Sequence, residues 1–197
     1  MALSSLKDVY IDQLQDLYSA NRQSLQVTRM LETAAKNEEL KKALSRGIDG
    51  IGAGLETMSE LVKGHNEDPT DEFCKGMQGL VNEAKAHAIE ARFTDDDARD
   101  AMIIAQYQRM VHYAIAGYGC VRAYASRLGL EAEAGKIRKC LDETAQGDET
   151  MTKIAETKVN RKAARRQSPL TGRFRAPRHT PRRSPMPTGN YSRRASR

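Results

Sequence analysis

Polar and apolar residues alternate with a helical period almost without interruption from residue 5 to residue 159. Leu6, Tyr10, Leu14, Leu17, Leu25 and Leu31 are spaced by three, four and their sums, which predicts a helix from about Ser5 to Ala35. "KNEEL" at 36–40 supplies a break and a new start. Leu40, Leu44, Ile48, Ile51, Leu55, Met58 and Val62 then form a second stripe that ends near Lys63. "GHNEDPTDE" at 64–72 has the chemistry of a turn, and "FCKGMQGLVNEAKAHAIEA" reads as a shorter helix. In "FTDDDARDAM", Thr94 or Asp95 is placed to cap a new helix, and the acids that follow favour the positive end of its dipole. That helix runs to Arg127 through Ile104, Tyr107, Val111, Ile115, Tyr118 and Val121. After "LGLEAEAG" a last helix carries Ile137, Leu141, Met151 and Ile154. No alternating β-branched run competes. The pattern predicts an all-α fold: a four-helix bundle with an extra short helix in its middle connection.

One stretch resists the helical pattern that surrounds it. "RGIDGIGAGLETM" places Gly47, Gly50, Gly52 and Gly54 within eight positions of the second helix. Each interior glycine costs a helix about 1 kcal/mol relative to alanine. Gly47, Gly50 and Gly54 share one side of the helix, beside the Ile48/Ile51/Leu55 stripe. Either side chains have been vacated there, or small residues admit a close neighbour or a kink.

Charge divides the chain more sharply than its net +6 suggests. From Asn160 to the end there are 12 Lys/Arg and no Asp or Glu, which leaves −6 for residues 1–159. Five of the six prolines also lie in that last segment. The expected organisation is an acidic helical domain over 1–160 and a disordered, Arg/Pro/Ser-rich basic tail over 161–197. Arg165, Arg166, Arg173, Arg175, Arg178, Arg182 and Arg183 are candidates for nonspecific contact with nucleic acid or another polyanion. An acidic protein surface and a dispensable extension are the other readings of the tail. No apolar run approaches the ~20 residues of a membrane span, and no membrane association is expected. Cys74, Cys120 and Cys140 are scattered and odd in number, which points to reduced thiols and a cytoplasmic location.

Carboxylate-bridged metal centres in helical bundles need a Glu on each of two helices and Glu-x-x-His on the others, all facing inward. The inward positions here are different. Asn21 lies on the inner face of the first helix, Val111 and Ala114 on that of the third long helix, and Thr144 and Asp148 on that of the last. His112 sits about one residue off its stripe, and Asp49 lies outside its own. Asn21, Thr144 and Asp148 are expected either to hydrogen-bond one another or trapped water, or to form a weak mononuclear site. Motifs for phosphate binding, zinc proteolysis or a serine nucleophile are lacking.

"LKDVYIDQLQDLYSANRQ", "CKGMQGL", "RDAMIIAQYQRMVHYAIAGYG" and "LDETAQGDETMTKIA", in this order over about residues 5–160, resemble the YciE/YciF family of ferritin-like stress proteins. The resemblance implies a ferritin-like bundle, a homodimer, and an inward cluster of carboxylates and histidine that holds iron or another di-metal centre. It also implies acids or histidines where this chain has Asn21, Gly50, Gly54, Val111, Ala114 and Thr144. Of that pattern Asp142, Glu143 and Asp148 keep acids. The expectation is a non-catalytic, stress-associated member without cofactor, its metal site vestigial at Asn21, Gly50, Gly54, Val111, Ala114, Thr144 and Asp148. A metal-dependent oxidase or peroxidase using Asp148, Asn21, Asp49 and His112 is the enzymatic alternative. A nucleic-acid-associating bundle acting through its tail is another.

Overall fold

The structure is a computed structural model that describes residues 3–165. Its helices are α1 (Leu6–Ala34), α2 (Glu38–Gly64), α3 (Lys75–Ala84), α4 (Asp96–Arg127), α5 (Glu131–Ile154) and α6 (Asn160–Arg165). Lys85–Glu90 and Ala155–Val159 are π turns that extend α3 and join α5 to α6. The expected tail from Arg166 onward, with Arg173, Arg175, Arg178, Arg182 and Arg183, lies outside the described residues. The last helix passes the expected boundary at 160 and reaches Arg165. Buried Val159 still anchors it, and Arg161, Lys162, Ala163, Ala164 and Arg165 are good helix formers.

Local signals set most helix starts. Ser5 and Asp8 form a reciprocal capping box on α1, and the Asn37 side chain accepts from the N–H groups of Glu39 and Leu40 on α2. Asp95 caps α4 by accepting from the Ala98 N–H. The α4–α5 turn closes with the N–H of Leu130 on the Ala125 carbonyl and that of Gly129 on Ser126. This 6→1, 5→2 pattern needs a left-handed residue, and Gly129 supplies it at φ 74°.

Three-residue connections make α1/α2 and α4/α5 antiparallel hairpins, while a long crossover carrying α3 joins α2 to α4. Lys36 and Asn37 meet Asp100, and Asn21 meets Tyr118, so α1 and α4 are antiparallel neighbours. Lys136 pairs with Glu60 and Lys158 with Glu39, so α5 runs antiparallel to α2. Helices α2 and α4 are therefore parallel across the diagonal, the arrangement of a ferritin-like bundle with one long crossover. Polar residues buried on α1 tie that crossover down. Gln15 donates to the Asp68 carbonyl at 2.7 Å, and Ser19 Oγ accepts from the Cys74 N–H at 3.0 Å. Cys74 Sγ, which caps α3, contacts Tyr113 Oη at 2.9 Å, and Tyr113 donates to Asp16 at 2.9 Å.

The apolar core falls into two clusters at opposite ends of the bundle. One contains Val27, Leu31, Leu40, Leu44, Ile103, Ile104 and Met151, with Met77 and Val81 of α3. The other contains Tyr10, Leu14, Leu17, Met58, Val62, Val121 and Ile137. The α2 stripe is fully buried only at its ends; Ile48, Ile51 and Leu55, in the middle, are half-buried. Among the described residues no helix is long and apolar enough to cross a membrane.

Candidate functional site

Between the two core clusters, a cavity of about 480 Å³ opens at mid-bundle height. Its wall on α1 is Asn21, Ser24 and Thr28; α4 supplies Tyr107, Met110, Val111, Ala114 and Tyr118. Gly47, Gly50 and Ile51 of α2 face Cys140, Thr144 and Gly147 of α5. Arg46, Gly50, Glu143 and Gln146 line it and are exposed, so it opens to solvent along the seam between α2 and α5.

Two tyrosines explain two of the glycines. Tyr107 and Tyr118 reach from α4 across the diagonal to α2, and their hydroxyls take the space that a side chain at Gly47 or Gly54 would need. The two hydroxyls are held differently. Tyr118 is 3 % exposed and accepts a hydrogen bond from Asn21 Nδ2 at 2.8 Å. Tyr107 is 4 % exposed, and none of the described residues hydrogen-bonds its hydroxyl. Burial pushes its phenol up to about 12, with the charge of nearby Asp148 acting in the same direction. Gly50 is different again: a methyl group there would meet nothing, because it faces the cavity. Of the sequence's two explanations, close approach applies at Gly47 and Gly54, though what approaches is a tyrosine rather than a helix backbone. At Gly117 the close approach is to Leu17 of neighbouring α1.

The polar residues expected to share the interior do not bond one another. Asn21 is committed to Tyr118, and Thr144 Oγ1 donates to the Cys140 carbonyl of its own helix at 2.7 Å. Asp148 does not line the cavity. Its carboxylate sits in the α4–α5 seam, accepting from Gln108 Nε2 at 2.9 Å and lying 3.2 Å from His112 Nε2. A helical wheel puts Asp148 on the inner stripe of α5, but Gln108 and His112 hold its carboxylate in the seam. The His112 side chain is 64 % exposed, and Asp49 is exposed on α2. Val111 and Ala114 line the cavity as uncharged wall.

A di-metal centre, which the family resemblance implies, needs several anionic oxygens around one point. The residues present do not fit it. Asn21 and Thr144 are already engaged, Asp148 turns away, and Glu143 at the opening is the one acid in the lining. Among the described residues, no three His, Cys, Asp or Glu side chains come together closely enough to hold a metal.

Periodicity puts Ser24 and Thr28 on the same face of α1 as Asn21 but does not say what their hydroxyls do there. Ser24 and Thr28 line the cavity while donating to the carbonyls of Asn21 and Ser24, so their hydroxyls keep acceptor capacity. Asn21, Ser24 and Thr28, spaced by three and four on one buried face, were the available signal. Asp100, 1 % exposed, accepts from the N–H groups of Lys36 and Asn37 at 2.9 and 2.8 Å. Nothing local in "DDDARDAM" separates it from the capping acids beside it.

Comparison with known proteins places this bundle among relatives. The family model Domain of unknown function (DUF892) matches residues 5–164. Protein YciF of Escherichia coli (strain K12) is 31 % identical over 164 residues, covering 83 % of this chain and 98 % of its own. The crystal structure of the E. coli stress protein YciF superposes with a TM-score of 0.75 at 31 % identity, covering 80 % of this chain and 99 % of that one. The structure of YcfI from Rhodopseudomonas palustris does so with a TM-score of 0.72 at 26 % identity, covering 77 % and 96 %. Matched in sequence over nearly the whole bundle and in the course of its helices, the chain belongs to the DUF892 family.

Proposed function

We propose that this chain is a non-catalytic, ferritin-like stress-associated protein whose bundle has given up its di-metal site. The observation that carries the reading is the Asn21–Tyr118 hydrogen bond, packed against Gly54 where the resemblance implies metal-binding side chains. An amide and a phenol hydrogen-bonded to each other supply no open, anionic coordination sphere. The link to stress comes from E. coli YciF, which is described as a stress protein.

The enzymatic alternative needs Asp148, Asn21, Asp49 and His112 around one centre. Asn21 is buried beside Tyr118, Asp49 is on the exposed side of α2, and only Asp148 and His112 meet. Two ligands on an outer seam do not make a redox-active site. Fe(II) oxidation is the functional test. Full-length protein supplied with Fe(II) in air should oxidise it no faster than a protein-free blank; saturable oxidation above the blank contradicts the proposal.

A further inference from the structure

Loss of metal ligands requires nothing in their place, yet the side chains in the middle of this bundle do not close the space between them. The cavity's volume of about 480 Å³ lies in the range of small-molecule sites. Inside it, Ile51, Met110, Val111, Ala114 and the rings of Tyr107 and Tyr118 face the neutral side chains of Asn21, Ser24 and Thr28, and no charged group stands among them. The charged residues at its opening, Arg46 and Glu143, are of opposite sign and select for neither charge. An ionic ligand would shed its hydration and find no partner inside. Ser24 and Thr28 spend their protons on backbone carbonyls, whereas Tyr107, a residue 4 % exposed, lines this space with a hydroxyl that has no partner among the described residues. Its neutral O–H is a donor in search of an acceptor.

We propose that the cavity is a binding site for a neutral, largely apolar, ring-sized molecule bearing a carbonyl or similar acceptor, to which Tyr107 donates. Gly50 is the doorway. It is exposed, it lines the cavity, and no atom lies within 4 Å of where its Cβ would be. A larger residue there enters the cavity without colliding with the bundle.

Three probes of one shape test the site on the full-length protein: 2-acetylnaphthalene, 2-ethylnaphthalene and 2-naphthoate, titrated by calorimetry. The ketone should bind saturably with one site per chain, about tenfold more tightly than the hydrocarbon, and the anion most weakly. Tyr107→Phe should erase the ketone's advantage and leave the hydrocarbon unchanged. Gly50→Leu should abolish binding of both; Ala114→Leu, which fills the cavity from α4, serves the same purpose if Gly50→Leu does not fold. Binding that survives a filled cavity, or no saturable binding of the ketone, overturns the site. Equal affinity for ketone and hydrocarbon, or an advantage that survives Tyr107→Phe, overturns the assigned ligand class. Iron oxidation and metal content read none of these outcomes, so this inference and the proposed loss of metal fail separately.

Discussion

The hydroxyl of Tyr118 occupies the space that a side chain at Gly54 would need, although the two residues sit on diagonally opposite helices. Asn21 fixes that hydroxyl from a third helix. Three helices thus converge on one neutral contact at the level where related bundles are implied to hold metal. The glycine cost to α2 is offset by a buried aromatic side chain that spans the bundle.

This relationship ranks the glycines. Gly54→Ala should destabilise the bundle by about 1–3 kcal/mol through overpacking, since Tyr118 can move aside only by giving up its hydrogen bond to Asn21. Gly47→Ala should cost less, because the free end of Tyr107 can swing toward the cavity. Gly50→Ala should stabilise by up to about 1 kcal/mol, as expected for a helix position with open space. Urea melts of the three single variants check the order.

Tyr118→Phe should destabilise by about 1–3 kcal/mol, leaving the buried Asn21 amide without its partner. It should also lessen the penalty of Gly54→Ala. A double-mutant cycle between the two positions should therefore be non-additive. Additive effects would mean that the hydroxyl does not fill the Gly54 space.

Asp100→Ala should destabilise by about 1–3 kcal/mol, because two N–H groups of the α1–α2 turn lose their buried acceptor. Chemical denaturation measures the loss, and hydrogen exchange at Lys36 and Asn37 should locate it.

The helices and their starts were legible because their causes are local. Ser5, Asn37 and Asp95 act within three residues, and the period of Leu40, Leu44, Met58 and Val62 needs no knowledge of a partner. The site was legible only as a set of faces. Periodicity puts Gly54, Tyr118 and Asn21 inward but cannot say that a tyrosine crosses the diagonal, because that depends on helix order around the bundle. Asp148 shows the same limit: its inward place on the helix does not reveal that Gln108 and His112 hold its carboxylate in a seam between helices. Asp100 acts on residues 63 and 64 positions away.

Burial pushes the phenols of Tyr10, Tyr113 and Tyr118 above their ordinary value of 10 and that of Tyr107 up to about 12. In the unfolded chain they ionise near 10. As pH rises from 10 to 12 the unfolded state therefore holds fewer protons than the folded one, and stability falls through that window. Urea midpoints at intervals between pH 9 and about 12 should show this decline. Tyr107→Phe should make it shallower, and an unchanged slope would contradict a buried, neutral Tyr107.

The central claim, a mid-bundle layer without metal-binding capacity, is tested most directly by metal stoichiometry. The full-length protein should be produced in medium supplemented with iron and manganese, purified without chelator, and analysed by mass spectrometry of the elements. Well under one equivalent of either metal per chain is expected, unchanged when Asn21 is replaced by Ala. Close to two equivalents per chain, the complement of a di-metal centre, would contradict it.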